Sequence, residues 1–205
     1  MSIKKVVVTG LGALAPNGNS ADLFWSALES GKSGIAPISY FDASNHRVSI
    51  AGELKNFDAT QFIDSKEVRK LDPFSIYALI SSSEAIKTAN LDLKSIDLDR
   101  AGVIIGSGIG GIQTLENEHD IIKSKGARRV SPQFVAKMIP NIAGGHLSMK
   151  FGFRGPSQTV ISACASSNDA IGIALRLIRY GDADIILTGG TEASITPLTI
   201  AGFAN

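Results

Sequence analysis

The chain has 205 residues, 44% of them hydrophobic and 21 of them glycine, enough to bury a substantial core as one domain or as half of a larger one. A formal net charge of +1 offers no global field for nucleic acid, and a single cysteine excludes an internal disulfide and any multi-cysteine metal site. The apolar run after Met1-Ser2-Ile3-Lys4-Lys5 falls far short of the roughly 18 residues of a membrane span, and no secretory leader is visible, so the expected compartment is the cytosol.

In chain order, residues 6–9 read as a first strand and 21–30 as a helix, followed by an irregular insertion over 36–66 with edge strands such as 48–51. Asp72-Pro73 opens a helix over 73–88, with proline at a tolerated first-turn position. A strand over 102–105 and a helix over 111–124 come next. A single helix is predicted over 134–151, then a strand over 159–163, a helix over 165–180 and a strand over 184–187. The strands are continuously apolar rather than alternating, as a parallel sheet covered on both faces requires. The helix over 165–180 carries Ile171, Leu175 and Ile178 on one stripe with Ala170, Ala174 and Leu177 beside it, which predicts burial on most sides. Gly181 can take its left-handed cap. The alternation is that of an α/β, doubly wound fold.

Two glycine motifs invite a dinucleotide reading. Gly106-Ser107-Gly108-Ile109-Gly110-Gly111 matches G-x-G-x-x-G between a strand and a helix, but no strand ending in an acidic ribose ligand follows about 20 residues on. Gly10-Leu11-Gly12 is interrupted by Pro16-Asn17-Gly18, where a phosphate-binding helix would already be running. A nucleotide-binding oxidoreductase is therefore a weak alternative, and no cofactor or metal is expected.

The only cysteine, Cys164, sits where the strand over 159–163 runs into the helix over 165–180. Free N–H groups and the positive end of the dipole at such a terminus favour a thiolate. A lone cysteine is equally well a small buried hydrophobe. Ala163, Ala165, Ser166 and Ser167 tilt the reading towards a nucleophile, because they leave room for a substrate.

The run Gly155-Pro156-Ser157, Ser162-Ala163-Cys164 and Gly189-Gly190-Thr191-Glu192 resembles the β-ketoacyl synthases of the thiolase superfamily. The likeness extends from Val6-Val7-Val8-Thr9-Gly10-Leu11-Gly12 through Gly106–Gly111 to Thr196-Pro197-Leu198 and Gly202-Phe203. It looks most like the elongating synthases, type II, that act on acyl carrier protein. The resemblance implies a thiolase-like fold, layered α/β/α around a mostly parallel sheet, with residues 1–205 forming the N-terminal of two halves. It implies that Cys164 takes the acyl group from an acyl-carrier thioester, its N–H serving the oxyanion hole, before malonyl-carrier is decarboxylated and condensed to 3-oxoacyl-carrier. It also implies that Ile109, Ala163 and Phe203 line the acyl pocket, and that Phe134 reaches the pocket of the partner in a homodimer. Thr199 stands where a smaller residue is expected.

The family's catalytic histidines and lysine lie in motifs absent from this sequence, and are expected after residue 205. His46, His119 and His146 match none of them and are read as structural or solvated. Lys66, Arg69 and Lys70 fall at i, i+3 and i+4, one face of a helix, which by composition alone is an ordinary solvated face. The resemblance makes them, with Arg128 and Arg129, the docking site for an acidic carrier. A catalytically silent chain-length-determining partner subunit is the second alternative. Such subunits replace the cysteine, so Cys164 argues against it.

Overall fold

A computed structural model describes residues 4–205. In chain order it contains α1 (Ala21–Glu29), β1 (Ala36–Pro37), β2 (Ile50–Ala51), α2 (Ser65–Val68), α3 (Pro73–Thr88), β3 (Ala101–Gly106), α4 (Ile112–Lys125), α5 (Phe134–Met138), α6 (Ile142–Phe151), β4 (Ser157–Val160), α7 (Ser166–Tyr180), β5 (Ile185–Gly190) and α8 (Pro197–Ala204). β1 and β2 pair antiparallel within the irregular insertion.

The sheet has the order β4-β3-β5, all parallel. β3 is buried along its whole length and its side chains divide between two cores. Ala101, Val103 and Ile105 join Phe74, Leu79, Ala143 and Leu147 from α3 and α6. Ile104 faces the other way, against Ala170 and Ala174 of α7. This is the three-layer arrangement that the continuous apolar strands require, and the active end of such a sheet lies beyond its strand C-termini.

Three expectations change. Residues 6–9 are not a strand in this sheet. The chain that follows them is strapped to α3: the Leu11 N–H donates to the Thr88 hydroxyl at 3.0 Å, and the Ala13 and Ala21 N–H groups each donate to Glu84 at 2.9 Å. Gly10 and Gly12 permit this, since a Cβ at either would fall about 2 Å from an α3 carbonyl oxygen, at 2.1 Å from Ala85 and 1.9 Å from Ser81. The predicted helix over 134–151 is two helices, because Pro140 supplies no N–H and drives Ile139 to an extended ψ of 135°. α7 buries only the stripe Ser166, Ala170 and Ala174. Its Ile171 is 48% exposed, and with Leu175, Ile178, residues 6–11 and β5 it borders an apolar groove.

Candidate active site

β4 ends at Val160 and the chain turns through a 3₁₀ turn, Ala163–Ala165, into α7. Ala163 adopts φ +52°, the left-handed region that a Cβ disfavours. Ser166 clasps the elbow from inside: its buried hydroxyl accepts from the Ser162 N–H at 2.9 Å and donates to the Ala163 carbonyl at 2.7 Å. Ser162 in turn donates through its hydroxyl to Asp169. The turn so held presents Cys164 exposed at the tip, with its N–H in the first turn where helix donors have no intrahelical acceptor. Gly106 and Gly190 let β3 and β5 end against this elbow, since a Cβ on Gly106 would lie 2.4 Å from the Ser166 backbone and one on Gly190 2.7 Å from the Ser167 Cβ.

Cys164 opens into a cavity of about 500 Å³ formed by the 106–109 loop, the elbow, residues 190–194 and Phe203 of α8. The loop over 106–111 is pinned internally, the Gly110 N–H donating to buried Ser107 Oγ at 3.2 Å, with Gly110 at φ +76°. Glu192 reaches across from the end of β5 and accepts from the N–H groups of Gly108 and Ile109. A thiol beside free backbone donors, facing a mostly apolar cavity lined by Ile109 and Phe203, is equipped to attack a carbonyl whose tail is aliphatic.

Residues 4–205 match the family model for the β-ketoacyl synthase N-terminal domain. The chain belongs to the β-ketoacyl synthase family. It is 46% identical over 202 residues to the 3-oxoacyl-[acyl-carrier-protein] synthase 2 of Synechocystis sp., an alignment covering 98% of this chain and 49% of that protein. The chain thus spans about half the length of the curated relatives it matches. The ketosynthase of a type II polyketide synthase, solved in complex with its acyl-carrier protein and bound to a hexaketide, superposes with a TM-score of 0.84 at 29% identity, covering 98% of this chain and 55% of that one. A β-ketoacyl synthase from Burkholderia phymatum STM815 gives 0.83 at 27% identity, covering 98% and 50%. These ketosynthases share the thiolase-like fold expected from the sequence.

Within this β-ketoacyl synthase domain, Cys164, Ala163, Ile109 and Phe203 come together around one cavity. Phe134 does not join them; it is half-buried on α5. Thr199 also lies off the cavity lining, its hydroxyl 2.9 Å from that of Thr196, which caps α8 and donates to Glu116 at 2.5 Å. Lys66, Arg69 and Lys70 are exposed, but on a helix that ends at Val68, so Arg69 is its cap and Lys70 lies in the turn beyond. Arg128 and Arg129 are exposed in a 3₁₀ turn after α4.

None of the three histidines lines the cavity. The His46 ring lies 3.1 Å from the Pro197 carbonyl and packs on Phe41, tying the insertion to the start of α8. His119 is exposed on α4, and His146 is half-buried on α6, where burial pushes its pKa below the usual imidazole value. Glu192 and the Ser166 clasp were missed in the sequence. A carboxylate two residues beyond Gly190 gave no local signal, because its partners lie 83 and 84 residues away.

Proposed function

We propose that this chain supplies the nucleophile half of a 3-oxoacyl-[acyl-carrier-protein] synthase of the elongating type II class, working in the cytoplasm as a homodimer. The observation that carries the reading is Cys164, exposed on a helix-start elbow at the mouth of a cavity walled by Ile109 and Phe203. The Cys164 thiolate attacks the carbonyl of an acyl-carrier thioester. A new S–C bond forms, the bond to the carrier sulfur breaks, and the carrier leaves as its thiol. The Cys164 N–H is placed to donate to the oxyanion that develops. Malonyl-carrier is then decarboxylated by histidines that this sequence does not carry in family motifs, and the resulting carbanion attacks the acyl-cysteine to release 3-oxoacyl-carrier.

Exposed Lys66, Arg69 and Lys70, with Arg128 and Arg129, form the cationic surface that receives the acidic carrier. The ion pairs among the described residues engage Lys4, Arg100 and Arg154 instead. The open outer edge of β4 and the exposed Ile161 support pairing with a second copy, into whose pocket Phe134 reaches. A cysteine-directed epoxide such as cerulenin tests the nucleophile directly. Alkylation should add one adduct at Cys164 and none in Cys164→Ala; an adduct of the same stoichiometry in the variant contradicts the assignment.

A further inference from the structure

Among the described residues, Glu192 is the one charged side chain in the wall of the Cys164 cavity, and nothing in the condensation chemistry above employs it. Its Oε2 accepts from two consecutive backbone N–H groups, Gly108 at 2.8 Å and Ile109 at 3.1 Å. Successive amides converging on one point form an anion-binding concavity, and here the anion is the protein's own carboxylate. A Cβ on Gly108 would sit 3.0 Å from that same oxygen, so glycine at 108 lets the carboxylate come this close.

The two sides of the contact differ in how firmly they are held. Thr191, immediately before Glu192, donates its N–H to the Gly106 carbonyl at 3.0 Å and its hydroxyl to the Phe74 carbonyl at 2.6 Å, which fixes the base of Glu192 to β3 and α3. On the loop side, Ile109 lies between Gly108 and Gly110, is 39% exposed, and projects into the cavity that Cys164 and Phe203 share. The loop is anchored at its two ends, where the Ser107 N–H donates to the Val160 carbonyl at 3.2 Å, the Gly110 N–H to Ser107 Oγ at 3.2 Å and the Gly111 N–H to the Met138 carbonyl at 2.9 Å, whereas the amides of Gly108 and Ile109 between them donate to Glu192. The carboxylate is therefore what holds the middle of the loop, Ile109 included, between those anchors.

We propose that Glu192 is a latch that sets the position of Ile109 and thereby the length of acyl chain the cavity admits. It is a specificity-determining role exerted through Ile109, and it rests on the acyl-pocket reading of that residue. Both backbone amides donate to one carboxylate oxygen, and hydrogen bonds to a carboxylate are the stronger class. Gln at this position retains one acceptor oxygen and preserves a weakened latch, whereas Ala leaves both amides to water.

The test uses the purified chain, with deuterium exchange over residues 106–111 and the rate of Cys164 alkylation by N-butyl and N-dodecyl iodoacetamide. Each reagent forms a thioether to Cys164 with loss of iodide, so neither carrier nor second substrate is needed. Glu192→Ala should speed exchange of the loop amides about tenfold and raise the dodecyl-to-butyl rate ratio about threefold or more. Glu192→Gln should restore most of both, and matching thermal unfolding of the variants guards against a general loss of fold. Unchanged exchange in Glu192→Ala overturns the latch. Faster exchange with an unchanged ratio, while Ile109→Phe does shift that ratio, overturns the specificity role. A ratio that neither Glu192→Ala nor Ile109→Phe moves overturns the acyl-pocket reading, and this proposal with it.

Discussion

Ala163 bears the strain that aims its neighbour: a left-handed backbone at a residue with a Cβ costs on the order of 1 kcal/mol and persists only because Ser166 bonds both flanks of it. Cys164 and its immediate neighbours were legible in the sequence because a strand-to-helix junction of small residues is a local pattern. Ile109 and Phe203 came only from family resemblance, and Glu192 not at all, since its contact depends on the parallel register that sets Gly106 beside Gly190. At this scale the account makes one prediction about Ile109. Ile109→Phe adds volume to the wall and narrows the cavity, at about 1–3 kcal/mol for chains that must pass it. Acylation of Cys164 by long acyl thioesters should fall roughly tenfold or more while short ones are spared. Equal loss for both would make Ile109 a structural residue.

At the scale of elements, α3 holds the site's foundations through Asp72. The buried Asp72 carboxylate caps α3 through the Phe74 N–H at 3.2 Å and accepts from Thr114 twice, at 3.0 Å from the N–H and 2.6 Å from the hydroxyl, so one side chain joins α3 to α4. Asp72→Ala strands three buried donors and should cost about 2–3 kcal/mol, visible as a lower unfolding midpoint in urea. Burial raises the pKa of the Asp72 carboxyl from its ordinary value, against the lowering effect of the Thr114 and Phe74 hydrogen bonds. The folded state thus binds this proton more tightly than the unfolded state. Wild-type stability should decline as pH rises from the ordinary carboxylate pKa through the raised one, and Asp72→Asn should flatten that slope. Asp72-Pro73 announced this helix to the residue, because cap and proline are both local signals. Pro140 is an equally local signal, and it divides the predicted helix over 134–151 into α5 and α6. The failure at residues 6–9 is different in kind: an apolar, β-branched run has strand propensity, but the chain that follows it is tied through Leu11 and Ala13 to Thr88 and Glu84, which only the tertiary structure brings within reach.

Over the whole molecule, the proposed function places chemistry and carrier recognition on separate surfaces. The cavity holds the thiol and the apolar wall, and Lys66, Arg69 and Lys70 lie on a short helix, its cap and the turn beyond it, none of which lines the cavity. Charges outside the chemistry should act on encounter with the carrier and weaken with salt. Reversing all three to Glu should raise the apparent KM for acylation by an acyl-carrier thioester about tenfold while leaving a small acyl thioester within about twofold. Unchanged carrier kinetics with unchanged salt dependence would leave these residues an ordinary solvated face. The layered architecture was readable from the apolar strands, but the extent of burial of α7 was not, because periodicity reports which faces are apolar and not which of them finds a partner within the chain. The central claim is that Cys164 receives the acyl group. Incubation with an acyl-carrier thioester followed by peptide mass mapping tests it most directly: the account predicts a single acyl adduct on the peptide containing Cys164, lost in Cys164→Ala, and an adduct on any other residue, or one that survives the substitution, contradicts it.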